Sequence, residues 1–182
     1  MIVGLTGRNG AGKGTVAQWL MARGFGYSSL SDVIRADLAD RGQESTRDNL
    51  IAAGRRLRRE GGPGVLAERI LRSIPPGADY IVDSVRNPVE VEVLRGQTGF
   101  LLIEVTADEQ VRYQRMVARN RGGDASSFEE FRRQEQAELH DTDSAAQRLV
   151  ATAELADLVV DNNGDLAALA ETLAEAIGVT SA

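Results

Sequence analysis

Gly7-Arg8-Asn9-Gly10-Ala11-Gly12-Lys13-Gly14-Thr15 follows directly on the short apolar run Ile2-Val3-Gly4-Leu5. Four glycines in nine residues let the backbone turn tightly and aim several N–H groups at one point. A helix starting near Gly14 adds the positive end of its dipole there, and Lys13 adds a fixed charge. This is the G-x-x-x-x-G-K pattern of a phosphate-binding loop, placed between strand and helix. The Ser or Thr that most such loops carry after the lysine is Gly14 here, and Thr15 comes one place later.

A dinucleotide-binding fold also opens strand, glycines, helix, and Asp32 lies where that fold places an acid on a ribose. Its G-x-G-x-x-G spacing is absent, because Gly10, Gly12 and Gly14 alternate. Tyr27-Ser28-Ser29-Leu30-Ser31 is also too polar for a buried strand ending in that acid. Of 21 Lys and Arg residues, Lys13 is the only lysine. A chain that uses arginine everywhere else keeps a compact ammonium at the one place where a point charge on phosphate is wanted.

The 182 residues predict one domain with a proper core. Without cysteine there is neither a disulfide framework nor a thiolate metal site. His140, the single histidine, rules out histidine clusters and reads as a surface residue. No leader or membrane-spanning stretch is visible, so the expectation is a cytoplasmic protein with no membrane partner. A net charge of −6 argues against a general nucleic-acid binder. The arginines are nonetheless clustered, at Arg55-Arg56, Arg58-Arg59, Arg112 to Arg121 and Arg132-Arg133. That distribution suits a small polyanion, with solvated helix faces accounting for part of it.

Along the chain, helices are expected over 14–22, from a turn capped by Ser31 or Asp32, over 47–60, 65–73, 89–95 and 106–119, from Ser126 or Ser127 to 139, over 144–153, and over 165–177. The 47–60 helix carries Leu50, Gly54 and Leu57 on one face and its arginines mostly on the other. Val89, Val91 and Val93 alternate as a strand would, against the N-cap and first-turn proline of Asn87-Pro88. Thr106 to Glu109 reads as a capping box. Strands at 2–5, 25–28, 79–83, 100–105 and 158–161 alternate with helices. This predicts an α/β fold with a five-stranded parallel sheet, and a ligand at the strands' C-terminal ends.

Those strand ends carry Asp32 and Arg35, then Asp83 and Arg86, with Arg115 and Arg119 one and two helical turns beyond the fourth. The layout resembles the nucleoside monophosphate kinases, adenylate kinase above all. G-K-G-T looks like their loop, S-L-S-D-V-I-R resembles S-T-G-D-x-L-R, and D-S-V-R resembles D-G-F-P-R with one residue fewer. The closing L-A-D-L-V-V-D-N-N-G is similar instead to dephospho-coenzyme A kinases and to deoxynucleotide-kinase-like proteins. The resemblance implies a three-layer P-loop NTPase fold in one domain: a core of 1–31, 73–119 and 154–182, a helical acceptor-binding (NMP-binding) insertion at about 32–72, and a lid at about 120–153.

The same resemblance implies ATP and Mg²⁺ as cofactors. Gly7, Asn9, Gly10, Ala11, Gly12, Lys13, Gly14 and Thr15 would hold the phosphates. Asp83, assisted by Thr15, would orient the metal. Arg35 and Arg86, with Ser31 and Asp32, would bind an acceptor phosphate. Arg115 would flank the adenine, Arg119 the transferring group, and Asn162 and Gly164 the loop behind the base. Arg132 and Arg133 are lid candidates or surface residues. A phosphate acceptor needs no strong base, whereas a hydroxyl acceptor would want a carboxylate, for which Asp32 is the candidate beside its reading as a helix cap. The expectation is a small-molecule kinase acting on a nucleoside or deoxynucleoside monophosphate, as monomer or homodimer. A dephospho-coenzyme A-like enzyme and a non-catalytic ATP binder are the alternatives. A GTPase switch lacks its D-x-x-G and N-K-x-D motifs.

Overall fold

Strands that are apolar on both faces need a layer of helices on each side. The computed structural model describes residues 1–119, 125, 127–139 and 148–178. In it β1 (Ile2–Thr6) is buried throughout and lies at the centre of a parallel sheet. With β2 (Gly26–Ser29), β3 (Tyr80–Asp83), β4 (Phe100–Thr106) and β5 (Leu158–Asp161) the strand order is β2-β3-β1-β4-β5. Val3, Leu5, Ile81, Ile103 and Val160 face a layer made by α1 (Lys13–Met21) and α9 (Leu166–Ile177). Ile2, Val82 and Leu102 face the opposite layer, made by α2 (Leu30–Asp40), α3 (Arg47–Gly61), α4 (Val65–Leu71) and α5 (Pro88–Arg95). Between β4 and β5 run α6 (Glu109–Arg119), α7 (Phe128–Leu139) and α8 (Leu149–Ala153). Met116 and Phe131 are buried there, with Tyr113 and Phe128 against them.

Several expected boundaries move, each for a local reason. Neither Ser31 nor Asp32 caps α2: the cap is Ser29, whose hydroxyl accepts from the Ser31 N–H, and the helix is already under way at Leu30. Thr106 opens no capping box. It ends β4, its hydroxyl donates to Val160 O, and α6 begins at Glu109. The valines at 89, 91 and 93 are helical, with Asn87 and Glu90 closing a capping box. Ser127 accepts from the Glu130 N–H at the start of α7. On α9 Leu166 is exposed, and Leu169, Leu173 and Ala174 form the buried stripe. The break at 120–124, Ser126, His140 and residues 144–147 of an expected helix lie outside the described residues.

The α3 arginines do not all lie outward. Arg58 is 4% exposed, and its Nε and Nη2 donate to Glu90 Oε1 at 2.9 and 2.7 Å. The other oxygen of Glu90 accepts the backbone N–H groups of Arg86 and Asn87. One buried carboxylate therefore ties α3 to the turn between β3 and α5. Removing one partner of such a pair leaves a buried charge uncompensated. Glu90→Ala should cost about 3–5 kcal/mol, seen as a lower denaturant midpoint with an unchanged slope. A change within the range of surface substitutions would show that the junction does not matter for stability.

Candidate functional site

The loop after β1 leaves no room for a side chain at three of its glycines, Gly7, Gly10 and Gly12. Gly12 is the N-cap of α1 at φ 98°, and a Cβ on it would collide with the Asn162 amide nitrogen. Gly7 stands at φ 129°, where a Cβ would meet Val105 O. Gly14 differs: a Cβ there would meet nothing within 4 Å, so the missing Ser or Thr is not a matter of space. The loop is tied down through its carbonyls and Asn9. Asn162 Nδ2 donates to Ala11 O at 2.9 Å, and Arg115 Nη1 donates to the same oxygen at 3.3 Å. Arg112 Nη1 donates to Asn9 O, and Arg86 Nη2 to Asn9 Oδ1, both at 3.3 Å. Arg112 is itself buried and paired in bidentate fashion with Glu135 of α7.

Lys13 Nζ donates to Gly7 O at 2.7 Å and to Arg8 O at 3.2 Å. Burial lowers its pKa to about 8, and the guanidinium groups of Arg86, Arg119 and Arg112 push the same way, against the opposing charge of Asp83. Asp83 closes β3 with only 8% exposure. Its Oδ1 accepts the Ser84 N–H at 2.6 Å and its Oδ2 accepts the Tyr27 hydroxyl at 3.0 Å. Burial, then the charge of Asp83, raises the pKa of Tyr27 well above its ordinary value, so the phenol stays a donor.

These groups open onto a cleft of about 980 Å³. Its walls bring together Asn9, Gly10, Gly12, Lys13 and Gly14 of the loop with Asp83, Arg86, Arg115 and Arg119. From α2 come Ser31, Asp32 and Arg35, the last two bonded to each other at 2.7 Å. Seven cationic side chains thus face the cleft (Lys13, Arg35, Arg47, Arg58, Arg86, Arg115 and Arg119) against two carboxylates, Asp32 and Asp83. Other expected residues stand elsewhere. Ala11 and Asn162 are buried behind the loop, Thr15 gives its N–H to Gly12 O, and Gly164 is exposed in the turn after β5. Arg132 pairs with Glu109 on the surface, and Arg133 is exposed.

Among the described residues no group of three or more acidic or histidine side chains gathers into a metal cage. Asp83 alone still fits Mg²⁺, which keeps much of its water and is usually held by one or two carboxylates together with substrate phosphates. Tyr27 and Glu135 carry no motif spacing that would have announced them, and the capping-box spacing of Glu90 to Asn87 says nothing of its pairing with Arg58. The partners of Tyr27, Glu90 and Glu135 lie 56, 32 and 23 residues away and meet them only in the fold.

The depressed pKa of Lys13 makes phosphate binding proton-linked. In the nucleotide-free protein the lysine loses its proton as pH rises through about 8, whereas bound phosphates keep it charged to higher pH. ATP binding near pH 8 should therefore take up a proton, and affinity should fall as pH rises above that value. Calorimetry in buffers of different ionisation enthalpy reads the uptake, and Lys13→Met should abolish it. A buffer-independent enthalpy for the unaltered protein would remove the lysine from the phosphate site.

Residues 3–141 match the family model described as an AAA domain. The chain is 37% identical over 131 residues to a UPF0200 protein of Pyrobaculum aerophilum, covering 71% of this chain and 72% of that one. Shikimate kinase from Bacteroides thetaiotaomicron superposes with a TM-score of 0.65 at 10% identity, over 98% of this chain and 99% of that one. A sugar kinase from a Janibacter species gives 0.56 at 16%, over 98% and 95%. At such identities these two likenesses speak for the fold: a five-stranded parallel P-loop sheet flanked by helices. By the matched domain and this kinship, the chain belongs to the AAA-domain family and to the UPF0200 proteins.

Proposed function

We infer that the protein is an ATP- and Mg²⁺-dependent phosphotransferase whose acceptor is a nucleoside or deoxynucleoside monophosphate. The observation that carries this reading is the single cleft in which the glycine loop, Lys13 and Asp83 face Arg35 and Arg86. Two phosphate-bearing ligands meeting end to end need such a sequence of charges. The P-loop kinase fold of the structural neighbours supports it.

In this reading the loop and Lys13 hold the β- and γ-phosphates of ATP. Asp83 is the carboxylate that would hold Mg²⁺, and a cation held there supplies charge neutralisation on the phosphate oxygens. Arg35 and Arg86 grip the acceptor phosphate, one oxygen of which forms the new bond to the γ-phosphorus as the β–γ bridging bond breaks. The products are ADP and a nucleoside diphosphate. Arg119 stabilises the charge on the transferring group, and Arg115 flanks the nucleotide. No base is required of the protein, because the attacking oxygen is already anionic. The helices of the expected acceptor-binding insertion, 32–72, and of the lid, 120–153, would exclude water on closing. A hydroxyl acceptor of the dephospho-coenzyme A type would instead place the chemistry at Asp32, which lines the cleft next to Arg35.

ADP release from Mg-ATP, measured against a panel of nucleoside and deoxynucleoside monophosphates plus dephospho-coenzyme A, tests this. One or more monophosphates should stimulate release, with Lys13→Ala lowering the rate by about 10²–10³-fold and Asp32→Asn leaving transfer intact. Stimulation by dephospho-coenzyme A alone, lost in Asp32→Asn, would replace the reading with the hydroxyl-acceptor one. ATP binding without release for any acceptor would leave a non-catalytic binder.

A further inference from the structure

Tyr27 is an aromatic residue whose position is hard to explain by packing. It is 38% exposed, faces the cleft, and belongs to none of the three apolar clusters. It sits on β2, an edge strand of the sheet, where Ser29 is in register with Asp83 and Tyr27 with Ile81. From there its hydroxyl reaches diagonally across to Asp83 Oδ2.

Tyr27 is itself held. The hydroxyl of Tyr80 donates to the Tyr27 carbonyl at 3.2 Å and shares a hydrogen bond with Ser28 Oγ at 3.0 Å. The Tyr80 ring lies over Gly26, where a Cβ would collide with ring atoms. On the far side of Asp83, Ser84 takes φ 65°, the only positive value at a non-glycine among the described residues. That sparsely populated conformation accompanies the short Ser84 N–H bond to Asp83 Oδ1. Each carboxylate oxygen therefore receives one donor, the Tyr27 hydroxyl from β2 and the Ser84 N–H that follows β3. A carboxylate offers about four lone-pair positions, so about two remain on a residue that lines the cleft.

We propose that Tyr27 is the positioning residue of the metal-bearing carboxylate: its hydroxyl fixes the rotation of Asp83 so that the free lone pairs meet the water shell of a divalent cation on the nucleotide phosphates. The proposal rests on Asp83 having the metal role assigned to it above. It accounts for a phenol in a wet cleft where phenylalanine would pack equally well. It also accounts for the Tyr80 and Gly26 arrangement that stiffens this edge of the sheet.

The test is a Mn²⁺ titration of the protein saturated with the non-hydrolysable β,γ-imido analogue of ATP, followed by the Mn²⁺ electron paramagnetic resonance signal. The unaltered protein, Tyr27→Phe and Asp83→Asn are compared. Affinity for the analogue without metal and the thermal midpoint are measured alongside. Tyr27→Phe should weaken Mn²⁺ by about tenfold, the scale on which outer-shell partners act. Metal-free nucleotide affinity and thermal midpoint should stay at the unaltered values, a split that a merely structural tyrosine would not produce. Mn²⁺ affinity unchanged in Tyr27→Phe but weakened in Asp83→Asn overturns the proposal and leaves the role of Asp83 standing. Affinity unchanged in both variants removes the metal role of Asp83 and the proposal with it.

Discussion

The structure depends on one stretch of backbone that has no room for a side chain at Gly7, Gly10 and Gly12. Between the end of β1 and the start of α1 the chain is pressed against Val105 O at Gly7 and against the Asn162 amide at Gly12. What presses on it also holds it: Asn162 after β5, Arg115 and Arg112 on α6, and Arg86 after β3 each donate to a loop atom. The central strand delivers the loop, and the strands and helices around it lock its shape. Such a loop needs little further ordering when a polyanion arrives, which is how preorganised donors gain over flexible ones.

Two buried ion pairs extend that lock outward. Arg58 with Glu90 and Arg112 with Glu135 are each nearly or fully hidden from solvent. Apolar residues of similar volume often stabilise a fold as well as such pairs do. Direction is what these pairs add. Glu90 fixes a cleft arginine, Arg58, and the backbone of Arg86 in one place. Glu135 fixes the guanidinium that holds Asn9 O. A greasy replacement would keep the packing and lose the aim.

Local chemistry made much of this readable in advance. The P-loop, the five parallel strands, the Asn87 cap and the ends of most helices follow from spacing, caps and periodicity, because those signals sit within a few residues of what they determine. Ser29 caps α2 although Ser31 and Asp32 offer the same signature two and three places on. Thr106 carries the signature of a helix cap, yet it pairs with Asp161 at the end of β4 and its hydroxyl goes to Val160 O. Nothing local sets Arg58 apart from the solvated arginines of α3, since Glu90, its partner, lies 32 residues away. Tyr27 is the clearest case: no rule of spacing connects a tyrosine on an edge strand with an acid at the end of the neighbouring strand. Pairings that depend on register become visible only once the sheet is built.

The charge distribution adds a constraint on what the cleft can take. The whole chain carries −6, yet the cleft walls hold seven cations and two carboxylates. A long nucleic acid would have to lay most of its phosphates along a surface of its own sign, whereas a compact polyanion meets only the hollow, where low-dielectric walls focus the field. Inside, burial depresses Lys13, and the repulsion of Arg86, Arg119 and Arg112 adds to it against the pull of Asp83. That repulsion is an unfavourable term of the empty state, and an anion relieves it on binding. Among the described residues that line the cleft, Asp83, tethered by Tyr27 and Ser84, is the carboxylate set beside the loop. A negative group kept there works against anion binding unless a cation comes with the anion. In the proposed reading that cation is the metal that accompanies the phosphate chain.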